Sequence, residues 1–305
     1  MTESSNRSDV WSEWLLNLRH AGDLEQNKIV REATLEVADR VLDAAKLTPA
    51  STLLDVGTGD GLVALRAIER MGPDLKVVMT DVSAPLLDHV RRLATERGWI
   101  DQCQFIQCRS SDMPGVADTS VDVVTTRAVL AYEEHKPKAL AEIFRVLKPG
   151  GTLSIAEPVL IDEALATSAM RQALQQHAGV PPADPLLPLV HKWKSAQFPD
   201  TLEAIAASPL TNYNERSLVQ MVMNANFVDV DMQLSIRTMP SVFTSWDTFV
   251  GSSPHPLAPS LTHILATKFT PDERALFERM LRPVVEAGPN VGLERVIYLT
   301  ARKPA

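Results

Sequence analysis

Apolar residues in the first half of the chain recur with two different periods, and the changes of period mark alternating helices and strands. Ile29, Ala33, Val37 and Val41 fall at four-residue steps, with Leu42 and Ala45 widening the stripe, which predicts an amphipathic helix ending before Thr48-Pro49. Ser51 to Val56 is a short apolar run of strand character. Leu62, Leu65, Ile68 and Met71 then return to helical spacing, closed by Gly72-Pro73. The same alternation continues with a strand over Leu75–Thr80 and a helix carrying Leu86, Val90, Leu93 and Ala94. Strand-like Cys103–Gln107 and Val121–Thr126 follow, then a helix through Leu140, Ile143, Phe144 and Leu147 that stops at Lys148-Pro149-Gly150-Gly151. Gly151–Glu157 completes the run as a strand. Strands interleaved with helices in this way predict an α/β fold, a doubly wound and mostly parallel sheet with right-handed crossovers.

After Glu157 the alternation breaks. Residues 158–213 read as helical but are interrupted by prolines at 181, 182, 185, 188 and 199. A helix returns with Leu218, Met221, Val222 and Ala225, followed by a strand-like Phe227–Ile236. An irregular SPHPLAPS stretch precedes a helix with a capping box, Thr270 as N-cap, Pro271 at the first position and Glu273 at the third. Arg295–Ala301 reads as a final strand. The expected division is an N-terminal helical segment (1–50), a core (51–157), a helical insertion (158–213), a core helix and strand (214–236), a second insertion (237–292) and a last core strand (293–305).

Composition narrows the functional classes. The 305 residues are 45% hydrophobic and carry a net charge of −8, which supports a buried core and argues against binding a nucleic-acid backbone. Cys103 and Cys108 have no metal-site spacing and are too few for a disulfide framework, so reduced thiols and no metal are expected. The N-terminal MTESSNRSDVWSEW has no secretory pattern, and no run approaches the ~18 apolar residues of a membrane span. The expected protein is soluble and cytoplasmic.

The candidate chemistry lies where the first two strands end, at Asp55-Val56-Gly57 and Asp81-Val82-Ser83. In sheets of this kind ligands sit beyond the carboxyl ends of the strands. Gly57, Gly59 and Gly61 give G-x-G-x-G, whereas a dinucleotide fingerprint needs its third glycine at position 62, which is Leu. Asp60 would also repel a pyrophosphate. A phosphate-free ligand with a cationic amine suits this turn better: the helix starting near Gly61 can receive a carboxylate, Asp55 an ammonium, and Asp81 both hydroxyls of a ribose. That set matches S-adenosylmethionine.

LLDVGTGDG, the acidic end in VVMTDVS, SVDVVTTRAVL and ALAEIFRVLKPGG together resemble the class I S-adenosylmethionine-dependent methyltransferases, particularly the branch with ubiquinone and menaquinone C-methyltransferases. The resemblance covers roughly residues 35–157. It implies a seven-stranded sheet whose last two strands form an antiparallel pair, supplied by Phe227–Ile236 and Arg295–Ala301. It also implies that Asp55, Gly57, Thr58, Gly59 and Gly61 face the methionine part and that Asp81 and Val82 hold the ribose. Relatives commonly read G-D-A-x-x-L-P where this chain has Cys108-Arg109-Ser110-Ser111-Asp112-Met113-Pro114. Arg109 replaces an acid there, so Ser110, Ser111 and Asp112 are the adenine-side candidates. Arg127, ending the fourth strand, is a candidate for the methionine moiety.

Methyl transfer needs mainly alignment and exclusion of water, with a base only for some oxygen and nitrogen nucleophiles. Tyr132, His135 and Glu157 are the catalytic candidates nearest the strand ends. His191, Tyr213, His255 and His263 could reach the site from the insertions; His20 and His89 are weaker candidates. The apolar, proline-rich insertions suggest a lid over a small apolar or aromatic acceptor, methylated on carbon, oxygen or nitrogen. Trp11 and Trp14, beside Leu15 and Leu18, are read as a helix packing on the lid or a partner and expected to serve core packing, with closure over the cofactor as the other reading. Arsenite-methylating relatives use more cysteines than this chain has. The remaining alternatives are a non-catalytic binding or regulatory protein on the same scaffold and, less favoured, an NAD-dependent oxidoreductase. The expected partner is a small-molecule methyl acceptor, with no nucleic acid and no membrane; a homodimer stays open.

Overall fold

A computed structural model of the chain describes residues 9–19, 21–177, 179, 182–240, 243, 245–287 and 291–305. His20 and Pro181 lie outside the described residues. Helix α1 (Val10–Glu13) passes into a π-helical turn over Trp14–Leu18, and α2 (Leu24–Ala45) leads into the core. Then follow β1 (Thr52–Val56), α3 (Leu62–Met71), β2 (Lys76–Asp81), α4 (Ala84–Glu96), β3 (Cys103–Gln107), β4 (Val121–Arg127), α5 (Lys136–Val146) and β5 (Leu147–Pro158). Helices α6 (Ile161–Gln176), α7 (Leu187–Lys194), α8 (Leu202–Ala207) and α9 (Glu215–Asn224) precede β6 (Val228–Pro240). Three more, α10 (Trp246–Gly251), α11 (Leu261–Lys268) and α12 (Pro271–Glu286), separate β6 from β7 (Val291–Arg302).

The seven strands form one sheet in the order β3-β2-β1-β4-β5-β7-β6, with β7 antiparallel to both neighbours. The expected α/β sheet and its antiparallel closing pair are therefore present. Both faces of the parallel strands are covered, so adjacent residues point into different cores: Leu53 joins the layer with α2, α3 and α4, and Leu54 the layer with α5 and α9. Both are fully buried, each contributing roughly 1.5–3 kcal/mol of transfer free energy.

Local chemistry sets the element boundaries. Ser83 caps α4 by accepting from the Leu86 N–H, and Thr270 with Glu273 forms the expected reciprocal box at α12. Leu147 was expected on the helix, but its backbone is already extended and it opens β5. The pairs with β7 carry β6 and β7 beyond the expected ends, Ile236 and Ala301, because each strand extends the other's hydrogen-bond ladder. The two insertions do not remain separate: Leu189 of α7 shares a core with Trp246, Leu261, Ile264 and Phe277 of α10–α12. Among the described residues no helix is long and apolar enough to cross a membrane.

Gly61 is fixed by packing rather than by a ligand. Its φ is +79°, and a Cβ there would stand 2.7 Å from Val90 Cγ1 and 3.0 Å from Cγ2, so only glycine lets α3 approach α4 this closely. Gly61→Ala should destabilise the fold by ~1–3 kcal/mol, read as a lowered melting temperature. An unchanged melting temperature would contradict this packing role.

Candidate active site

The strand order reverses between β1 and β4, and the ends of β1, β2 and β4 open into one cavity of about 320 Å³. This is the crevice position expected for a ligand in an open α/β sheet. Its floor is the glycine turn. Gly57 has φ +63°, and a Cβ there would lie 2.5 Å from Val129 Cγ2, so the turn and the loop after β4 touch through a position that needs glycine. Gly57, Thr58 and Gly59 line the cavity, whereas Gly61 lies outside it. The expectation that Gly61 faces the ligand is thus corrected by its place under α4.

Two carboxylates hold the turn. Asp55 is buried beneath it, accepting from Thr58 Oγ1 and Thr125 Oγ1, each at 2.8 Å. Burial pushes its carboxyl up to about 6, against the pull of those two hydroxyls. Asp81 accepts from the Gly59 N–H and the Ser83 N–H, each at 2.9 Å. Burial raises its pKa also, and the same N–H groups oppose the rise. Both carboxylates line the cavity, together with exposed Val82.

At the end facing β3, the cavity is lined by Cys108, Arg109 and Ser110. Ser111 and Asp112, also expected there, do not line it. The chain turns tightly from Arg109 to Asp112, which leaves Ser111 buried behind the wall and Asp112 on the surface. An acid from another loop, and not Asp112, stands beside this segment at the cavity wall. Glu133 lines the cavity and accepts from Ser110 Oγ at 2.6 Å and from the His135 N–H at 3.0 Å. Burial pushes its carboxyl up, but Ser110, the His135 N–H, Ser111 and the nearby Arg109 charge outweigh it and hold the group below its ordinary value. Sequence reading missed Glu133 because it sits in an aperiodic loop, two residues before the histidine that drew attention.

The catalytic candidates separate. Tyr132 lines the cavity, its ring 5.2 Å from that of Trp11 in an edge-to-face pair. Burial and the neighbouring Glu157 carboxylate push its hydroxyl well up, so it stands as a proton donor and not as a base. His135 is exposed at the start of α5 and lies outside the cavity. Glu157 is wholly buried behind the wall. Its oxygens accept from Thr126 Oγ1 and from the N–H groups of Val129, Leu130 and Ala131, at 2.9–3.1 Å. Four donors to one carboxylate fix the loop that carries Val129 and Tyr132. Glu157 is therefore a positioning residue.

The other candidates are also placed away from the cavity. His191 pairs with Asp200 at 3.0 Å, and Tyr213 is buried and donates to the Pro158 carbonyl. His263 is exposed on α11, His89 is half-buried on α4 in a separate cleft with Asp60 and Gly61, and His255 is buried with Nε2 3.1 Å from the Gln197 carbonyl. Among the described residues the insertions contribute Pro256 to the cavity wall. Trp11, Trp14, Leu15 and Arg19 supply the opposite wall from the N-terminal segment. They face the cavity instead of packing in the core, and the Trp14 Nε1–H donates to the Ser253 carbonyl at 3.3 Å, tying this segment to the second insertion. Cys103 and Cys108 are free thiols; burial lifts Cys108 to about 11. Arg127 faces the cavity from the end of β4.

Residues 47–198, about half of the chain, match a family described as a methyltransferase domain. The tRNA 5-carboxymethoxyuridine methyltransferase of Escherichia coli (strain K12) is 34% identical over 128 residues, 41% of this chain and 47% of that protein. The ubiquinone/menaquinone biosynthesis C-methyltransferase UbiE of Brucella abortus (strain S19) is 36% identical over 103 residues, 34% of this chain and 38% of that protein. The chain thus spans less than half the length of either relative. The YcgJ protein of Bacillus subtilis has a similar fold, with a TM-score of 0.55 and 17% identity over 88% of this chain and 99% of that one. Fold and glycine turn define a Rossmann-like methyltransferase domain. The chain belongs to the class I S-adenosylmethionine-dependent methyltransferase family.

The state of Asp55 has a measurable consequence. Its carboxyl keeps a proton to about pH 6 in the fold, against an ordinary value of 3.8. Between those values the folded state binds more protons than the unfolded chain, so this group's contribution to stability falls as pH rises through the window. Asp55→Asn should flatten that part of the stability profile in denaturant melts at pH 4 to 7. An identical slope in both proteins would contradict the assignment.

Proposed function

We propose that this chain catalyses methyl transfer from S-adenosylmethionine to a small planar acceptor held between the glycine turn and the Trp11–Tyr132 wall. The observation that carries the proposal is the convergence of the glycine turn, Asp81, Ser110 with Glu133, and Arg127 on one cavity at the strand-order reversal. The residues fit that cofactor part by part. Gly57 and Gly59 leave backbone exposed where an amino-acid moiety can approach. Asp81 spends two lone pairs on the turn and keeps others for ribose hydroxyls. Glu133 beside Ser110 offers an acceptor for an exocyclic amine, and the Arg127 guanidinium a partner for a carboxylate.

When bound, S-adenosylmethionine supplies an activated methyl group on a sulfonium. The chain's own work is alignment and dehydration: Trp11, Trp14 and Leu15 cover the turn, and Pro256 meets them from the second insertion. In this reading the cavity wall presents no uncommitted base among the described residues, since Tyr132 and Cys108 are held protonated, Asp55 is taken up by Thr58 and Thr125, and Asp81 and Glu133 are given to the cofactor. An acceptor that is already nucleophilic suits such a site. The tRNA nucleoside and quinone-pathway roles in the relatives' names belong to proteins matched over less than half their length. The acidic net charge of −8 favours a small acceptor over RNA.

A non-catalytic binding protein was suggested by the altered segment after β3; Glu133 beside Ser110 removes that motive. Asp81→Ala should weaken binding of S-adenosylhomocysteine by roughly tenfold or more, measured by calorimetry on the full chain. Unchanged affinity would overturn the ribose assignment, and no binding by the wild type would overturn the proposal as a whole.

A further inference from the structure

A second cavity, of about 440 Å³, lies on the other side of the glycine turn. Gly57, Thr58 and Gly59 face the cofactor cavity, whereas Asp60, Gly61 and Leu62 face this cleft, and Leu15 and Arg19 of the N-terminal segment line both. The remaining walls come from α2, α3 and α4. α2 joins the core through Val37, Val41, Leu42 and Ala45, but Val30 and Leu35 belong to no core cluster and stay half-buried against the cleft. Concave, mainly apolar walls around a space of this size are what small-molecule sites present.

The charge of the cleft opposes that of the whole chain. The protein carries −8, yet Arg19, Lys28, Arg31, Arg66 and Arg97 face the cleft against the carboxylates of Asp60 and Glu69. Arg66 is paired with Asp39 and Glu69, and the Asp60 charge reaches Arg19. Arg97 lies over the Trp99 ring, while Lys28 and Arg31 have no ion pair among the described residues. Helix pairing locates these last two. Arg66 and Arg70 of α3 meet Asp39 and Asp43 of α2, so the two helices run in parallel. Arg31 and Lys28 precede Asp39 by about 12 and 16 Å of helix, whereas α3 begins only about 6 Å before Arg66. The two cations therefore stand at the level of the glycine turn, above the apolar wall.

We propose that this cleft is a second binding site, for a medium-chain acyl carboxylate whose head meets Lys28 and Arg31, and that its occupancy tightens cofactor binding. The acyl body covers Val30, Leu35, Leu62 and Leu93, apolar surface that the fold leaves half-buried. The coupling runs through Leu15, which packs 3.1 Å from the position of a Cβ on Gly59 and lines both cavities. A ligand seated against Leu15 favours the N-terminal segment in the place where it roofs the cofactor, and the effect is reciprocal.

Calorimetry on the full chain tests both halves, with octanoate as probe and octanamide as its neutral match, each titrated with and without saturating S-adenosylhomocysteine. Octanoate should bind the wild type roughly tenfold more tightly than octanamide. The double variant Lys28→Gln with Arg31→Gln, two exposed positions, should erase that preference and leave S-adenosylhomocysteine affinity within about twofold. Leu35→Trp, which fills the cleft, should weaken both probes alike. Saturating octanoate should tighten S-adenosylhomocysteine about fivefold in the wild type and leave the double variant unchanged. The proposal is overturned if octanoate shows no preference over octanamide, or if the preference survives in the double variant. It is overturned equally if saturating S-adenosylhomocysteine displaces octanoate, which would put the probe in the cofactor cavity, or if octanoate leaves S-adenosylhomocysteine affinity unchanged. The coupling rests on the methyltransferase reading. Failure of the wild type to bind S-adenosylhomocysteine would strike that reading, while octanoate binding to the free protein and its loss in the double variant decide the second site independently.

Discussion

The left-handed turn between β1 and α3 governs everything at the rim of this sheet. Gly57, Gly59 and Gly61 all have positive φ, between +57° and +79°, a conformation that other residues adopt at a cost. The turn is held from below by Asp55 through Thr58 and Thr125, and from the side by Asp81 through the Gly59 N–H. The same turn sets three separate distances. Gly57 admits Val129 and the loop after β4, Gly59 admits Leu15 of the N-terminal segment, and Gly61 admits Val90 of α4. A bulkier residue at any one of them would move a wall of the cavity or a helix behind it.

A second carboxylate does for the far wall what Asp55 does for the floor. Glu157 is fully buried and gathers four donors from Thr126 and the loop at residues 129–131. Its burial raises its pKa while those donors favour the charged form, so the group is useful as a clamp and poorly placed to exchange protons with a ligand. Lys136 extends the clamp outward: its ammonium donates to the Glu133, Pro209 and Asn212 oxygens, linking the loop to the first insertion. Catalytic-looking side chains thus turn out to be the supports of the site, and the cavity wall itself holds aromatic edges, backbone, three arginines (Arg19, Arg109 and Arg127) and the carboxylates of Asp55, Asp81 and Glu133.

What could be read from sequence follows from how local the causes are. α3 was legible to the residue because Gly61, the leucine stripe and Gly72 are contiguous signals, and the capping box at Thr270 named the start of α12. The position of Asp55, Gly57–Gly59, Asp81 and Val82 at one cavity was legible because a strand end and a turn place them without help from distant residues. The roles of Glu157, His135 and Ser111 were not, since burial depends on which loop folds over each of them. Glu133 and Arg19 were illegible for the same reason: their partners, Ser110 and the cavity opposite Arg127, are brought near only by the fold. The union of α7 with α10–α12 in one core likewise joins segments far apart in sequence.

The central claim is that the cavity over the glycine turn, closed by the N-terminal segment, is where the cofactor binds. Amide hydrogen exchange of the full chain with and without saturating S-adenosylhomocysteine tests it directly, because local protection reports which segments a ligand holds closed. Slowed exchange is predicted in the peptides covering residues 55–61, 80–83 and 127–133 and in the Trp11–Arg19 segment that lies over them. Protection confined to other surfaces, or binding that leaves these four segments unchanged, would contradict the account.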